Sequence, residues 1–253
     1  MPARLFLKKK RTSLNSPVQS RSANAFMKGI VMAELFETPR FIAIEGPIRV
    51  GKSTLARILA EKLQALRIVE PENNPFLDRF YQELSGMALA TQMWFLVERY
   101  DQMRQAAKDL AGSEPPPMVA DYLFEKDKLF AYINLTDAEL ELYNRYYQIF
   151  RGEVPTPDLV IYLHASPEVL KQRLRRKGIS QEQAISDAYI EQVAKAYEHF
   201  FFHYTASDLL VVDTSEIDFV NRPQDLALLL KRLSEPIQGK QYFMPPPAQG
   251  NGA

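Results

Sequence analysis

Phe41-Ile-Ala-Ile-Glu-Gly46-Pro47-Ile48-Arg49-Val50-Gly51-Lys52-Ser53-Thr54 is the stretch that decides the fold. It opens on an apolar run of strand character and continues into the spacing G-x-x-x-x-G-K-S. Leu55, Ile58, Leu59 and Leu63 then recur at helical spacing, so the loop lies between a strand and a helix. A loop in that context turns its backbone N–H groups inward around an anion. Gly46 and Gly51 allow the turn, Lys52 neutralises phosphate charge, and the Ser53 hydroxyl can ligate Mg²⁺. Residues 46–54 are therefore expected to hold the phosphates of a nucleotide.

Working outward, short apolar runs recur at 41–45, 67–70, 118–121, 159–163 and 209–213. Between them the spacing predicts helices over 75–86, 88–111, 122–150 with a break near Leu135-Thr136, 167–177, 181–204 and 223–233. That alternation predicts an α/β fold: a doubly wound, five-stranded parallel sheet flanked by helices. In such a sheet the ligand sits beyond the carboxyl ends of the strands. Glu70, Asp121 and the phosphate loop are thus expected at one crevice.

A length of 253 residues suits one domain with a large core. The formal charge is zero, yet residues 1–33 hold seven Lys and Arg and no acid, which leaves 24 basic against 31 acidic residues in 34–253. A body about seven charges negative is a poor non-specific binder of nucleic acid. The expected anion is a small molecule at a specific site. There are no cysteines, which removes disulfides and thiolate ligands and fits a reducing cytoplasm. His164, His199 and His203 read as packing or surface residues rather than metal ligands. No apolar stretch approaches the roughly 18 residues of a membrane helix. The basic N-terminal segment lacks the apolar core of a secretory signal. Residues 1–38 are expected to be a disordered or leader segment, 39–235 the folded domain, and 236–253, rich in Pro and Gly, a flexible C-terminal tail.

The strand ending Val69-Glu70-Pro71, the following Asn74-Pro-Phe-Leu77, and Thr91-Gln92-Met93 in a long helix stand in a recognisable order after the loop. In order and spacing this resembles the deoxyribonucleoside kinases, in particular the bacterial deoxyadenosine and deoxyguanosine type, over about residues 40–244. The resemblance implies a P-loop NTPase-type sheet with a lid, ATP as phosphate donor, Mg²⁺, and a homodimer. The implied reaction is phosphorylation of the 5′-hydroxyl of a deoxyribonucleoside, with purines favoured. It places Glu70 as the general base, Gln92 as the reader of the base edge, Arg99 beside it, Tyr81 at the sugar 3′-hydroxyl and Phe130 stacked on the base. Asp121 falls at a Walker-B-like position for Mg²⁺, and Arg173 and Lys177 fall in the lid, with Arg175 and Arg176 as further cations over the phosphates. The chemistry agrees, because phosphoryl transfer needs charge neutralisation and a carboxylate aimed at the nucleophile, and a carboxamide suits adenine N6 and N7. The aromatic stretches 143–150 and 197–204 are candidate dimer contacts.

Three positions depart from the family pattern. Tyr122 stands where an arginine usually follows the acid, Ile179 replaces the last lid arginine, and Ala188 replaces a sugar-binding glutamate. Two other readings remain open at this level. One is a thymidylate-type monophosphate kinase, against which the acids and amides around Glu70 argue by repelling a substrate phosphate. The other is a nucleotide-binding subunit without turnover, against which intact Lys52, Ser53 and Glu70 argue.

Overall fold

The computed structural model describes residues 40–82, 84, 86–112, 115–178 and 185–245. The basic segment 1–38, Ile179 in the lid and the last eight residues of the tail lie outside the described residues. The elements run β1 (Phe41–Glu45), α1 (Lys52–Leu63), β2 (Leu66–Ile68), α2 (Leu77–Tyr81), α3 (Met87–Leu110), β3 (Met118–Ala120) and α4 (Lys126–Asn134). They continue as α5 (Asp137–Arg151), β4 (Leu159–His164), α6 (Pro167–Lys177), α7 (Asp187–His203), β5 (Asp208–Asp213), α8 (Pro223–Leu233) and β6 (Lys240–Phe243).

The sheet is parallel throughout, in the order β2-β3-β1-β4-β5-β6. Every residue of β1 is buried, as a central parallel strand covered on both faces requires. Its period of two divides the core. Ile42 and Ile44 face a cluster with Leu55, Leu59, Leu170 and Leu229 from α1, α6 and α8, while Phe41 joins Leu96, Met103 and Tyr143 on the opposite face. Each fully buried Leu or Ile there stabilises the fold by about 1.5–3 kcal/mol. The chain leaves β1 toward β2 and leaves β3 toward β4, in opposite directions, which opens a crevice at the carboxyl ends of β1 and β3.

The sheet has six strands, not five. The segment from Pro236, expected as an unstructured tail, carries β6, which pairs with β5 from Leu209↔Lys240 to Val212↔Phe243. The prolines at 245–247 follow Phe243 instead of interrupting it, so Lys-Gln-Tyr-Phe can cover the edge of β5. The Lys240 ammonium donates to the carbonyls of Phe201 and Phe202 at the end of α7, which fixes the strand to the body. Helix 75–86 shortens to α2, since Gly86 takes a left-handed φ of 76° and starts α3. The break at Leu135-Thr136 is a helix start: the Thr136 amide donates to Glu139 Oε2 at 3.0 Å. Of the helix expected over 181–204, the described part is α7, opened by the Ser186 side chain accepting from the Tyr189 amide.

Candidate active site

The phosphate loop leaves β1 at Gly46, with φ of 151°, and enters α1 at Gly51, with φ of 112°. A Cβ on Gly46 would lie 2.3 Å from the Leu163 carbonyl oxygen, and one on Gly51 would lie 2.6 Å from the Phe219 ring. Both φ values and both contacts therefore demand glycine. Lys52, first residue of α1, donates to the carbonyls of Gly46 at 2.8 Å and Pro47 at 3.1 Å, which holds its ammonium across the loop at the helix N-terminus. Burial, and then the Lys126 charge, lower its pKa to about 8, so it stays mainly cationic at neutral pH. Within the loop Val50 is buried in the core, while Pro47 and Ile48 face a cavity.

That cavity, about 220 Å³, is lined among others by Lys52, Glu70, Tyr81, Gln92, Arg99 and Phe130. Six residues singled out from scattered positions in the sequence thus meet around one space. Gln92 and Arg99, two turns apart on α3, are both buried, whereas Leu96 and Met103 turn into the core. Phe130, on α4, presents its ring to the cavity and meets Tyr197 edge-on at 6.2 Å. Tyr81 ends α2 and lines the same space.

Glu70 sits two residues past β2, just beyond the strand end assigned to it. Its Oε1 accepts from Arg99 at 2.6 Å and from Lys126 at 2.7 Å, and Oε2 accepts from Lys126 at 2.9 Å. Burial alone would raise its pKa, but Lys126, Arg99 and Lys52 outweigh that and hold the carboxyl well below the usual carboxylate range. Arg99 also donates to Asp127 at 2.5 Å, and its guanidinium lies 4.7 Å from the centre of the Phe95 ring. Burial pushes the Asp127 carboxyl up to about 6, and the Arg99 and Lys126 charges pull against it, so it remains ionised at neutral pH.

Asp121 follows β3 directly. Its Oδ1 accepts from the Glu70 amide at 2.6 Å; burial raises its pKa, and that amide and the neighbouring Ser53 hydroxyl pull against the rise. A hydroxyl and a carboxylate side by side at the mouth of a phosphate loop are hard oxygen donors of the kind Mg²⁺ takes together with water and phosphate oxygens. Tyr122 is buried, and its hydroxyl donates to Gln102 at 2.7 Å, so it reaches away from the loop and cannot serve as the cation usual at this position.

Arg173 is anchored to the loop after β5, donating to Thr214 Oγ1 at 3.0 Å, the Thr214 carbonyl at 2.6 Å and the Ile217 carbonyl at 3.0 Å. Arg175 lies 3.4 Å from Asp187 and Arg176 lies 3.3 Å from Asp218, both largely exposed, and Lys177 is exposed at the end of α6. None of these four lines the cavity around Glu70.

Sequence reasoning missed Lys126, Asp127 and Glu45. Glu125-Lys-Asp-Lys128 is four charges in a row, which reads as a solvated helix face, yet Lys126 and Asp127 are buried. The one signal was indirect, since a chain lacking an arginine after Asp121 needs another cation nearby. In the sequence Glu45 stands out only as the end of a strand. Buried, it accepts from the amides of Gly46 and Leu123, each at 2.8 Å, and from the Tyr197 hydroxyl at 3.0 Å.

Residues 42–238 match the family model described as deoxynucleoside kinase. The chain is 34% identical over 203 residues to a deoxyguanosine kinase from Bacillus subtilis, covering 78% of this chain and 98% of that one. It is 28% identical over 212 residues to a deoxyadenosine kinase from Lactobacillus acidophilus, covering 78% of this chain and 96% of that one. The structure is similar to that of a deoxyadenosine kinase from M. mycoides with bound dATP, with a TM-score of 0.64 and 26% identity over 77% of this chain and 99% of that one.

Proposed function

The chain belongs to the deoxynucleoside kinase family, and from that membership we infer that it phosphorylates the 5′-hydroxyl of a purine deoxyribonucleoside with ATP and Mg²⁺. The observation that carries this reading is the place of the Glu70 carboxylate, which lines the same cavity as Lys52 and Gln92. A hydroxyl bound there would stand between a proton acceptor and the phosphate loop, the arrangement in-line phosphoryl transfer needs.

In this reading Lys52 and the backbone amides of residues 48–54 bind the β- and γ-phosphates, and Ser53 and Asp121 would hold the metal. Bound Mg²⁺ would neutralise charge on the phosphate oxygens. Glu70 accepts the hydroxyl proton, Gln92 reads the base edge, Phe130 stacks on it, and Tyr81 takes the sugar. Arg99 fixes Glu70. Arg173, Arg175, Arg176 and Lys177 belong to a lid, whose closure would bring cations onto the phosphates. Among the described residues the one arginine lining the cavity, Arg99, is held between two carboxylates, which speaks against a monophosphate acceptor.

Phosphate transfer from ATP to deoxyadenosine, deoxyguanosine, deoxycytidine and thymidine tests the activity. Turnover on a purine substrate is expected, with kcat/KM falling about 10²-fold in Gln92→Leu, since a site built for hydrogen bonds rejects a mismatch strongly. Turnover on none of the four sinks the reading, and turnover only on monophosphates moves it to the thymidylate-type alternative.

The enzyme is assigned to the cytoplasm, where its phosphate donor is made and consumed. No helix among the described residues is long and apolar enough to cross a membrane. A homodimer is supported by α5. Within its aromatic stretch Tyr143 and Tyr147 are buried in the monomer, but Leu142, Tyr146 and Ile149 form an exposed apolar stripe at spacings of four and three. Sedimentation should give about twice the 29.0 kDa chain mass, reverting to monomer in Ile149→Glu. A wild-type protein of single-chain mass at micromolar concentration rejects the dimer.

A further inference from the structure

We propose that Lys126 is a catalytic residue whose ammonium passes from the Glu70 carboxylate to the transferring phosphoryl group as Glu70 takes the hydroxyl proton. The proposal rests on the kinase reading above and adds to it a residue that the phosphate loop and the lid do not supply.

Charge and geometry lead there together. Around the loop and the cavity three cations, Lys52, Arg99 and Lys126, meet four carboxylates, Glu45, Glu70, Asp121 and Asp127. Arg99 is fixed, gripped by two carboxylates and flanked by the rings of Phe95 at 4.7 Å and Tyr122 at 5.6 Å. Lys126 differs. Among the described residues its ammonium hydrogen-bonds to Glu70 alone, it lies 5.6 Å from the Phe130 ring centre, and it is 7% exposed. Its four-carbon stem carries a mobile charge that a single hydrogen-bonding partner does not lock in place.

During transfer the 5′-O–H bond breaks and its proton goes to Glu70. The 5′-oxygen forms a bond to the γ-phosphorus, and the bond from that phosphorus to the bridging oxygen breaks, its electron pair leaving with ADP. Glu70 is then neutral. Lys126 has lost its counter-charge inside a buried site, which is costly unless another anion arrives. One does: the phosphoryl group reaches the 5′-oxygen, which must lie within hydrogen-bond reach of Glu70 to have given up its proton. The cation lost to proton uptake is the cation the product phosphate requires. A purely structural Lys126 would need only the Glu70 charge and would gain nothing from the product.

Calorimetry on the full chain, without ATP or metal, separates the two roles by comparing deoxyadenosine and deoxyguanosine with their 5′-monophosphates. Lys126→Met is expected to weaken monophosphate binding by about tenfold or more and nucleoside binding by less than about threefold. Its kcat should fall about 10²- to 10³-fold with little change in nucleoside KM. Methylammonium in the assay should restore part of the activity of Lys126→Ala and none of that of Glu70→Gln. Equal weakening of nucleoside and monophosphate, or a kcat within about threefold of wild type, overturns the proposal. Should Lys126→Met fail to melt cooperatively, Lys126→Gln and Lys126→Arg carry the same comparison, with loss expected in the first and retention of monophosphate preference in the second. Failure of the kinase reading itself shows separately, as a wild-type chain that neither binds nor phosphorylates any deoxyribonucleoside.

Discussion

Glu70→Gln is expected to lower kcat by about 10³-fold while leaving ATP affinity within about twofold of wild type, the range general-base removal gives elsewhere. The substitution keeps the shape of the side chain and removes its charge. What it cannot keep is the acceptor for the hydroxyl proton, or the anion that Arg99 and Lys126 both contact. In the proposed reading the phosphates bind elsewhere, at Lys52 and the loop amides, so donor binding should be spared. Steady-state kinetics with calorimetric ATP titration checks both halves. A variant with kcat within about fivefold of wild type would remove Glu70 from the proton-transfer role. One whose ATP affinity collapsed would place it in the donor site. The low pKa of Glu70 is no obstacle, because the loose transition state of phosphoryl transfer asks for an oriented acceptor more than a strong one.

Asp127→Ala should be the most damaging single change to stability away from the loop, costing about 3 kcal/mol or more, as loss of one partner of a buried ion pair does. Asp127 is fully buried, and Arg99 leans on it at 2.5 Å. Without it Glu70 must balance Arg99 and Lys126 alone, and one buried positive charge is left over. In a protein of this size the loss corresponds to roughly 6–12 °C in Tm. Asp127→Asn, which keeps an oxygen for the guanidinium, should fall between. Thermal melting followed by circular dichroism decides, and a Tm of Asp127→Ala within about 2 °C of wild type would mean that the pair contributes little to the fold.

Much of this was legible in the sequence because periodicity and spacing are local. Five of the six strands, the loop and the break at Thr136 could be read from runs a few residues long. Glu70 and Asp121 could be placed because strand ends map onto the carboxyl edge of a parallel sheet, whereas Gln92, Arg99 and Phe130 are placed by the family resemblance. What escaped was set by partners far away in sequence. Lys126 is drawn inward by a carboxylate 56 residues earlier, and Asp127 by a guanidinium 28 residues earlier. No window on residues 125–128 contains that information. The sixth strand escaped for a similar reason, since Lys240–Phe243 has little pattern of its own and becomes a strand because β5 offers it an edge. Arg173 shows the converse, being found by motif but held here by the carbonyls of Thr214 and Ile217.

Glu45 has a consequence for precision. One carboxylate sets the first amide of the phosphate loop, the amide of Leu123 beyond β3 and the Tyr197 hydroxyl on α7. In the proposed reading, the donor side and the acceptor side of the reaction are thus measured from a single fixed point, like two scales sharing one zero. Errors that would add if each half were anchored separately are instead common to both, and cancel in the distance between them. For an in-line transfer, where a misplacement of about 1 Å costs about 10²-fold in rate, that shared origin converts a rigid strand end into alignment of the reacting atoms.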